Sequence, residues 1–319
     1  MAGGSEFDLI DRYLARLGAG RDDVVLGPGD DAAITRGGGK PLLMALDTLV
    51  EGVHFPADLP AEWIGYRALA VNLSDIAAMG GEPCWALLGL TLPAPDEAWV
   101  APFAEGLGRL ARAFGVAVIG GDVTRGPLTV SLQITGRATG PALRRDGASV
   151  GDRVWISGRP GEAAAGLGVW QQGDAREQAR WQGLRQAFIA PRPRVALGQA
   201  LAGVASAAID LSDGLAADAG HIAARSGVAL HLDPSCCRPS ARLLRWAGEA
   251  GAYRLQLGGG DDYELCFTAP AEADAAVRAA ARRARSPVRC IGEVGDGEGI
   301  WWGDHRIGEA AAGYRHFSV

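Results

Sequence analysis

Apolar and polar positions along the chain form short blocks whose period switches between about 3.6 and 2, the repeats of an amphipathic helix and a half-buried strand. Phe7, Ile10, Leu14 and Leu17 recur at helical spacing and predict a first helix. Strand-like runs follow at 24–26 and 42–46, then a largely apolar helix over 61–79 and a strand over 85–92. A helix over 96–114 closed by Gly115 and strands at 116–119 and 128–138 complete this half. The polar turn 147–152 opens a second set, with a strand at 154–157, helices near 162–170 and 192–202, and a strand at 207–209. A helix over 214–226, a strand at 228–232, a short apolar strand at 255–257 and a strand at 263–268 come next. A helix over 271–284, a strand at 288–294 and a terminal hairpin finish the chain. Strands alternate with helices in both halves, which predicts α/β or α+β layering. The turn region divides the chain into domains 1–145 and 146–319.

Composition narrows the picture. The 319 residues are long enough for two domains, and 48% hydrophobic with 21% charged residues is ordinary for a globular protein. Glycine is not ordinary: 47 residues is about twice the usual share. Many of these glycines adjoin acidic residues, the composition of tight loops that carry chemistry. The net charge of −6 and the absence of a basic stripe exclude a nucleic-acid partner, since Arg282, Arg283 and Arg285 form only a short helix-end patch. Five cysteines, Cys84, Cys236, Cys237, Cys266 and Cys290, lack any C-x-x-C spacing, which excludes a zinc site and a disulfide framework. No basic and apolar leader opens the chain and no apolar run approaches a membrane span, so a cytoplasmic protein without a membrane partner is expected.

The common phosphate and hydrolase signatures are absent. The sequence holds no G-x-x-x-x-G-K-[ST], no G-x-G-x-x-G and no H-E-x-x-H. Its G-x-S-x-G match, 147–151, lies in a polar turn rather than between a strand and a helix, so it is not a nucleophile elbow.

What remains is a series of aspartates beside Gly, Ser or Thr: Asp30 and Asp31, Asp47, Asp75, Asp122, Asp210 and Asp213, and Asp261 with Asp262. Four follow short apolar runs, and strand ends are where α/β folds collect ligands. Taken singly, an Asp beside Gly is most often a turn former or an N-cap. Taken together they read as a cradle for several hard cations: Mg²⁺ uses one or two carboxylates plus phosphate oxygens and water. Without metal, so many converging carboxylates would repel one another and any phosphate. Asp75 is the most informative, because an ionised carboxylate inside an apolar helix is costly unless paired or metal-bound. His54, among apolar neighbours, reads equally as a core residue and as a ligand contact.

The segments 27–34 (GPGDDAAI), 47–55 (DTLVEGVHF), 72–80 (NLSDIAAMG), 120–127 (GGDVTRGP), 209–214 (IDLSDG) and 259–265 (GGDDYEL), in this order, resemble the thiamine-monophosphate kinases. These belong to the superfamily of aminoimidazole ribonucleotide synthetase and selenophosphate synthetase. The resemblance covers essentially the whole chain, up to Gly313 and Tyr314. It implies a two-domain synthetase-like ATP-binding fold, an N-terminal sheet that pairs across a homodimer, and ATP held in the cleft between the domains. It also implies the reaction: thiamine monophosphate takes the γ-phosphate of ATP by direct in-line transfer with several Mg²⁺ ions. Metal ligands map onto Asp31, Asp47, Asp75, Asp122, Asp210 and Asp213, with Asp30 adjacent. Nucleotide contacts map onto Gly121, Asp122, Arg145 and Ser212, and substrate contacts onto His54, Asp261 and Tyr314. No dedicated base is implied.

Three positions depart from the family pattern. Ala45 and Leu46 replace hydroxyl residues, Asp261 replaces the usual Glu, and Val123 stands where Thr is common. Other members of the superfamily fit less well: no reactive cysteine precedes Cys84, and the chain ends on Val319 rather than on a cysteine. A non-catalytic nucleotide-binding protein is the alternative of a different class, opposed by retention of nearly every acidic position.

Overall fold

A computed structural model of the chain describes residues 10–14, 17, 18, 20–26, 34–308 and 313. Asp30, Asp31 and Tyr314 lie outside the described residues, as does most of the first expected helix, of which a π-helical turn, Ile10–Leu14, is described. The chain divides into two compact units, Met1–Ile76 with Glu82–Ala138, and Ala77–Gly81 with Thr139–Val319.

The first unit has a short antiparallel pair, β1 (Val24–Leu26) and β2 (Ile34–Thr35), and a four-stranded sheet. The strands of that sheet are β3 (Leu42–Val50), β4 (Gly81–Leu92), β5 (Ala117–Arg125) and β6 (Thr129–Ala138), ordered β3-β6-β4-β5. β3 and β6 run antiparallel, β4 and β5 parallel. Helices α1 (Ala61–Ala78) and α2 (Glu97–Phe114) belong to this unit's core. Their backbones touch: a Cβ on Gly65 would lie 2.1 Å from the Phe103 carbonyl, and one on Gly106 1.9 Å from that of Glu62. α1 also lies on the sheet, because a Cβ on Gly136 of β6 would come 3.1 Å from a methyl of Ile76. Asp96 caps the start of α2 and Gly115, at φ 67°, its end, as its spacing predicts.

Alternation along β3 sends Leu43, Ala45, Asp47 and Leu49 to one side and Leu42, Met44, Leu46 and Thr48 to the other. The second side is open: Met44 is 67% and Leu46 64% exposed, and Leu87 of β4 is also exposed. At the edge, Asp23 accepts from Nε and Nη2 of Arg21, one guanidinium nitrogen of Arg137 and the indole N–H of Trp85. Arg21, first among these, holds the Asp23 carboxyl well below its ordinary range.

The second unit is built on a seven-stranded sheet. Its strands are β7 (Arg153–Ser157), β8 (Ala207–Asp210), β9 (Ala229–Leu232), β10 (Leu265–Ala269), β11 (Val288–Gly295), β12 (Gly299–Trp302) and β13 (His305–Arg306). The order is β13-β12-β9-β11-β7-β10-β8, and all pairs are antiparallel except β12 with β9. Ile156, Ile209, Leu230 and Ile291 of the sheet share a core with Leu215, Ala219 and Ile222 of α7 (Leu215–Ser226). A second cluster joins α3 (Glu162–Gln171), α5 (Gln182–Ile189) and α8 (Ala241–Gly258) through Val169, Leu184, Leu243 and Ala252. Three short or peripheral helices complete the unit: α4 (Ala175–Arg180), α6 (Val195–Leu201) and α9 (Asp274–Arg283).

The mixed α/β class is as expected, but some elements differ. Residues 255–257 are not a strand; they are the last turn of α8, which is interrupted at Gly248 (φ 69°, ψ 174°). Asp47 and Asp122 do not follow their strands but lie within β3 and β5, because ladder pairing continues past the apolar runs to Val50 and Arg125. Among the described residues, no helix is long and apolar enough to cross a membrane.

Candidate active site

In the first unit the site starts from Asp47 and Asp75. The inward face of β3 carries Asp47 toward α1, which carries Asp75, and the two carboxyl groups come within hydrogen-bonding reach of each other. Burial raises the Asp47 carboxyl above its ordinary value, and the bond to Asp75 opposes that rise. Two carboxylates this close do not both stay ionised in isolation; they share a proton or a cation.

Gly121 and Asp122 sit side by side on β5, both exposed. Here the glycine is required by close approach: a Cβ on residue 121 would lie 1.9 Å from the Leu88 carbonyl on β4. His54 lies in the turn after β3, where its Nδ1 accepts the Val50 N–H at 3.0 Å. An accepting Nδ1 places the proton of the neutral ring on Nε2. Leu46 faces the open side of β3 and Ala45 has no hydroxyl, so only main-chain oxygens are available there for a metal.

In the second unit Asp210 ends β8, and Ser212 and Asp213 form the loop into α7. Buried Asp218, one turn into that helix, accepts the N–H groups of Asp213 (3.0 Å) and Gly214 (3.1 Å) and so fixes the loop. Its carboxyl is raised well above the ordinary range, first by burial and then by the charges of Asp210 and Asp213. The glycine-rich loop 258–264 binds alongside: the Asp261 N–H donates to the Ser212 carbonyl (2.7 Å) and the Tyr263 N–H to that of Leu211 (2.8 Å). Asp210, Ser212, Asp213 and Asp261 are thus drawn together on two bonded loops. Arg145 is exposed, and its carbonyl accepts the Ser226 hydroxyl at the far end of α7 from Asp213.

The donors fit a hard divalent cation in kind: all are carboxylate oxygens, with Asp47 meeting Asp75 in the first unit and Asp210 and Asp213 both near Asp218 in the second. Among the described residues no three His, Cys, Asp or Glu side chains converge on one metal position. Paired carboxylates are what Mg²⁺ uses when phosphate oxygens and water supply the remaining ligands.

Three carboxylates of this region are buried: Asp218 and Glu264, which a reading of the sequence for ligands misses, and Asp262, which the sequence places in the acidic series but the structure turns into a helix cap. Asp262 accepts the N–H groups of Gly161 (2.7 Å) and Ala163 (3.2 Å) at the start of α3. Burial, ahead of all other causes, pushes its carboxyl well above the ordinary range. Glu264 accepts the Ser157 hydroxyl and both arms of the Arg194 fork. Asp218 stands four residues after Gly214, one beyond the capping-box spacing, so its reach back to the helix start has no sharp signal in the sequence.

Comparison with known proteins agrees with this architecture. Residues 29–138 match the N-terminal domain of AIR synthase related proteins, and residues 149–302 match their C-terminal domain. A thiamine-monophosphate kinase of Salmonella typhimurium is 44% identical over 299 residues, 92% of each chain. The crystal structure of a thiamine-monophosphate kinase from Stenotrophomonas maltophilia is 46% identical and superposes with a TM-score of 0.87, covering 95% of this chain and 98% of that one. A structure described as AaThiL complexed with AMPPCP and TMP is 30% identical, with a TM-score of 0.79 and coverage of 98% and 97%. The chain belongs to the thiamine-monophosphate kinase family of AIR synthase related proteins.

Proposed function

We propose that this protein transfers the γ-phosphoryl group of ATP to the phosphate of thiamine monophosphate, giving thiamine diphosphate and ADP. The observation that carries the reading is the meeting of the Asp47 and Asp75 carboxyl groups, with Asp210 and Asp213 gathered near Asp218 in the second unit, in a chain from this family. Membership of the family favours it over a non-catalytic nucleotide-binding protein.

In the reaction a phosphate oxygen of the acceptor forms a bond to the γ-phosphorus, the bond from that phosphorus to the β,γ-bridging oxygen breaks, and its electrons leave with ADP. A phosphate monoester has its second pKa near ~6, so the nucleophile is ionised at neutral pH and needs no dedicated base. The task left to the protein is to position and neutralise. Asp47, Asp75, Asp122, Asp210 and Asp213, with Asp30 and Asp31, would hold the Mg²⁺ ions that the reaction uses. Bound Mg²⁺ supplies charge neutralisation at the β- and γ-phosphate oxygens. Gly121 and Ser212 contact the nucleotide through backbone and hydroxyl, and the exposed Arg145 supplies a mobile cation that would have to reach across from the other end of α7 to its phosphates. His54 offers Nε2–H to the acceptor, Asp261 accepts from it, and Tyr314 packs on its flat rings.

The test is ADP release measured with and without thiamine monophosphate, across a small panel of phosphorylated acceptors and with Mg²⁺ withdrawn by chelation. Release that needs both thiamine monophosphate and Mg²⁺ is expected. Release indifferent to the acceptor would remove the reading.

The uncovered side of β3 fits a second copy of the chain, with Leu42, Met44 and Leu46 as its apolar centre. Replacing Met44 and Leu46 together by Lys should convert a homodimer into a monomer, halving the mass found by light scattering. A wild-type protein that is already monomeric at micromolar concentration would refute this assignment.

A further inference from the structure

The loop after α8 is held in a way that metal and nucleotide binding do not explain. Its side chains alternate in environment. Asp262 and Glu264 are buried, while Asp261 and Tyr263 between them are half-buried. Asp261 and Tyr263 also share a backbone state that side-chain-bearing residues seldom adopt, with φ of 64° and 50°. Gly260, at φ 66°, has no room for a Cβ, which would lie 2.6 Å from the Ser212 carbonyl. Three of the four residues 260–263 thus have positive φ, and for the two that carry side chains this is kept only where the surroundings over-determine it.

The anchors are identifiable. N-terminal to the bend, the Asp261 N–H is fixed on Ser212. C-terminal to it, the Asp262 carboxylate is fixed on the first turn of α3, and Glu264 is fixed on Ser157 and Arg194. Asp262 thus occupies the helix start that would otherwise be an anion site, and it uses that grip to immobilise its neighbour.

We propose that Asp262 is a positioning residue for the acceptor: by capping α3 it holds Asp261 in the left-handed conformation that aims the Asp261 carboxylate at thiamine monophosphate. The proposal rests on the reading of Asp261 as an acceptor contact, given under the proposed function.

Four variants separate the two claims: Asp261→Asn, Asp262→Ala, Asp262→Asn and the double Asp261→Asn/Asp262→Ala, each assayed for KM of thiamine monophosphate, KM of ATP and kcat. Asp262→Ala should raise the KM for thiamine monophosphate about tenfold and leave the KM for ATP within about twofold, the signature of lost acceptor binding rather than of general damage. Asp262→Asn keeps one acceptor oxygen for the two N–H groups and should fall between wild type and Ala. The double variant should be no worse than Asp261→Asn alone, because Asp262 acts through Asp261. If Asp262→Ala does not fold, the Asn variant carries the test, with a rise of about threefold in the acceptor KM at constant KM for ATP. Equal losses on both substrates, or additive effects in the double variant, would overturn the positioning role. An Asp261→Asn variant with normal acceptor KM would instead overturn the reading of Asp261, and this inference with it.

Discussion

Replacing Asp75 by Asn should give a folded protein whose turnover of thiamine monophosphate falls by about 10²–10³, the usual cost of losing one pre-organised electrostatic group. The reason lies in the neighbourhood of the residue. Asp75 rides on α1 among side chains that are almost all buried, and it meets Asp47 from β3. Holding two carboxylates together here is unfavourable unless a cation or proton joins them. Asn removes the charge and supplies an N–H to the Asp47 carboxylate, so the metal-free variant should melt no lower than wild type and should melt higher if the repulsion is sizeable. Adding MgATP should stabilise wild type and stabilise the variant much less. ADP release and thermal melts with and without MgATP report both halves of the expectation. Activity within about threefold of wild type would exclude Asp75 as a metal ligand.

How far the sequence reaches is clear from particular segments. The helix over 61–79 and its apolar surface are legible because α1 is buried on nearly all sides, between α2 and the sheet. The strand at 85–92 is equally legible, since most of β4 is buried and reads as a continuous apolar run. α8 is not, because its sequence carries charges and two internal glycines and buries only Leu243, Ala252 and Gln256. Its helical state comes from packing against α3 and α5, not from periodicity. Similarly, Asp47 and Asp122 look like strand-end residues because an acidic residue ends an apolar run, whereas the ladder partners Leu132 and Gly89 keep them in register.

The candidate site divides along the same line. Its carboxylates beside glycine are visible as residue types, and their order along the chain carries the family resemblance. The groups that hold them are invisible, since each finds its partner through the fold. Asp262 reaches Gly161 across 101 residues, and Glu264 reaches Arg194 across 70. In a linear sequence Asp262 reads as one more member of the acidic series and Glu264 as an unremarked acidic residue, and nothing local reveals the partners that give them their structural roles.

Removing the Glu264 side chain should strongly destabilise the second unit. Glu264 and Arg194 form a forked ion pair with 11% and 15% of their side chains exposed, and the Ser157 hydroxyl completes the set. The packing around the carboxylate is close, since a Cβ on Gly158 would overlap its Oε1. Glu264→Ala strands the Arg194 guanidinium and the Ser157 donor in a space that water reaches poorly and leaves a void. Breaking a buried pair in this way costs about 3–5 kcal/mol. For a unit of this size that corresponds to a fall in Tm of roughly 10 °C. The pair itself is worth much less than this figure, because desolvation of both ions offsets their attraction. Glu264→Leu combined with Arg194→Met should therefore recover most of the loss, although neither restores a charge. Calorimetric or circular-dichroism melts of the single and double variants, taken without ligands, measure both quantities. A single variant that melts within about 2 °C of wild type would show that the fork is solvated and not a structural tie. A double variant as unstable as the single one would show instead that the charges hold the loop 258–264 in place, with packing secondary.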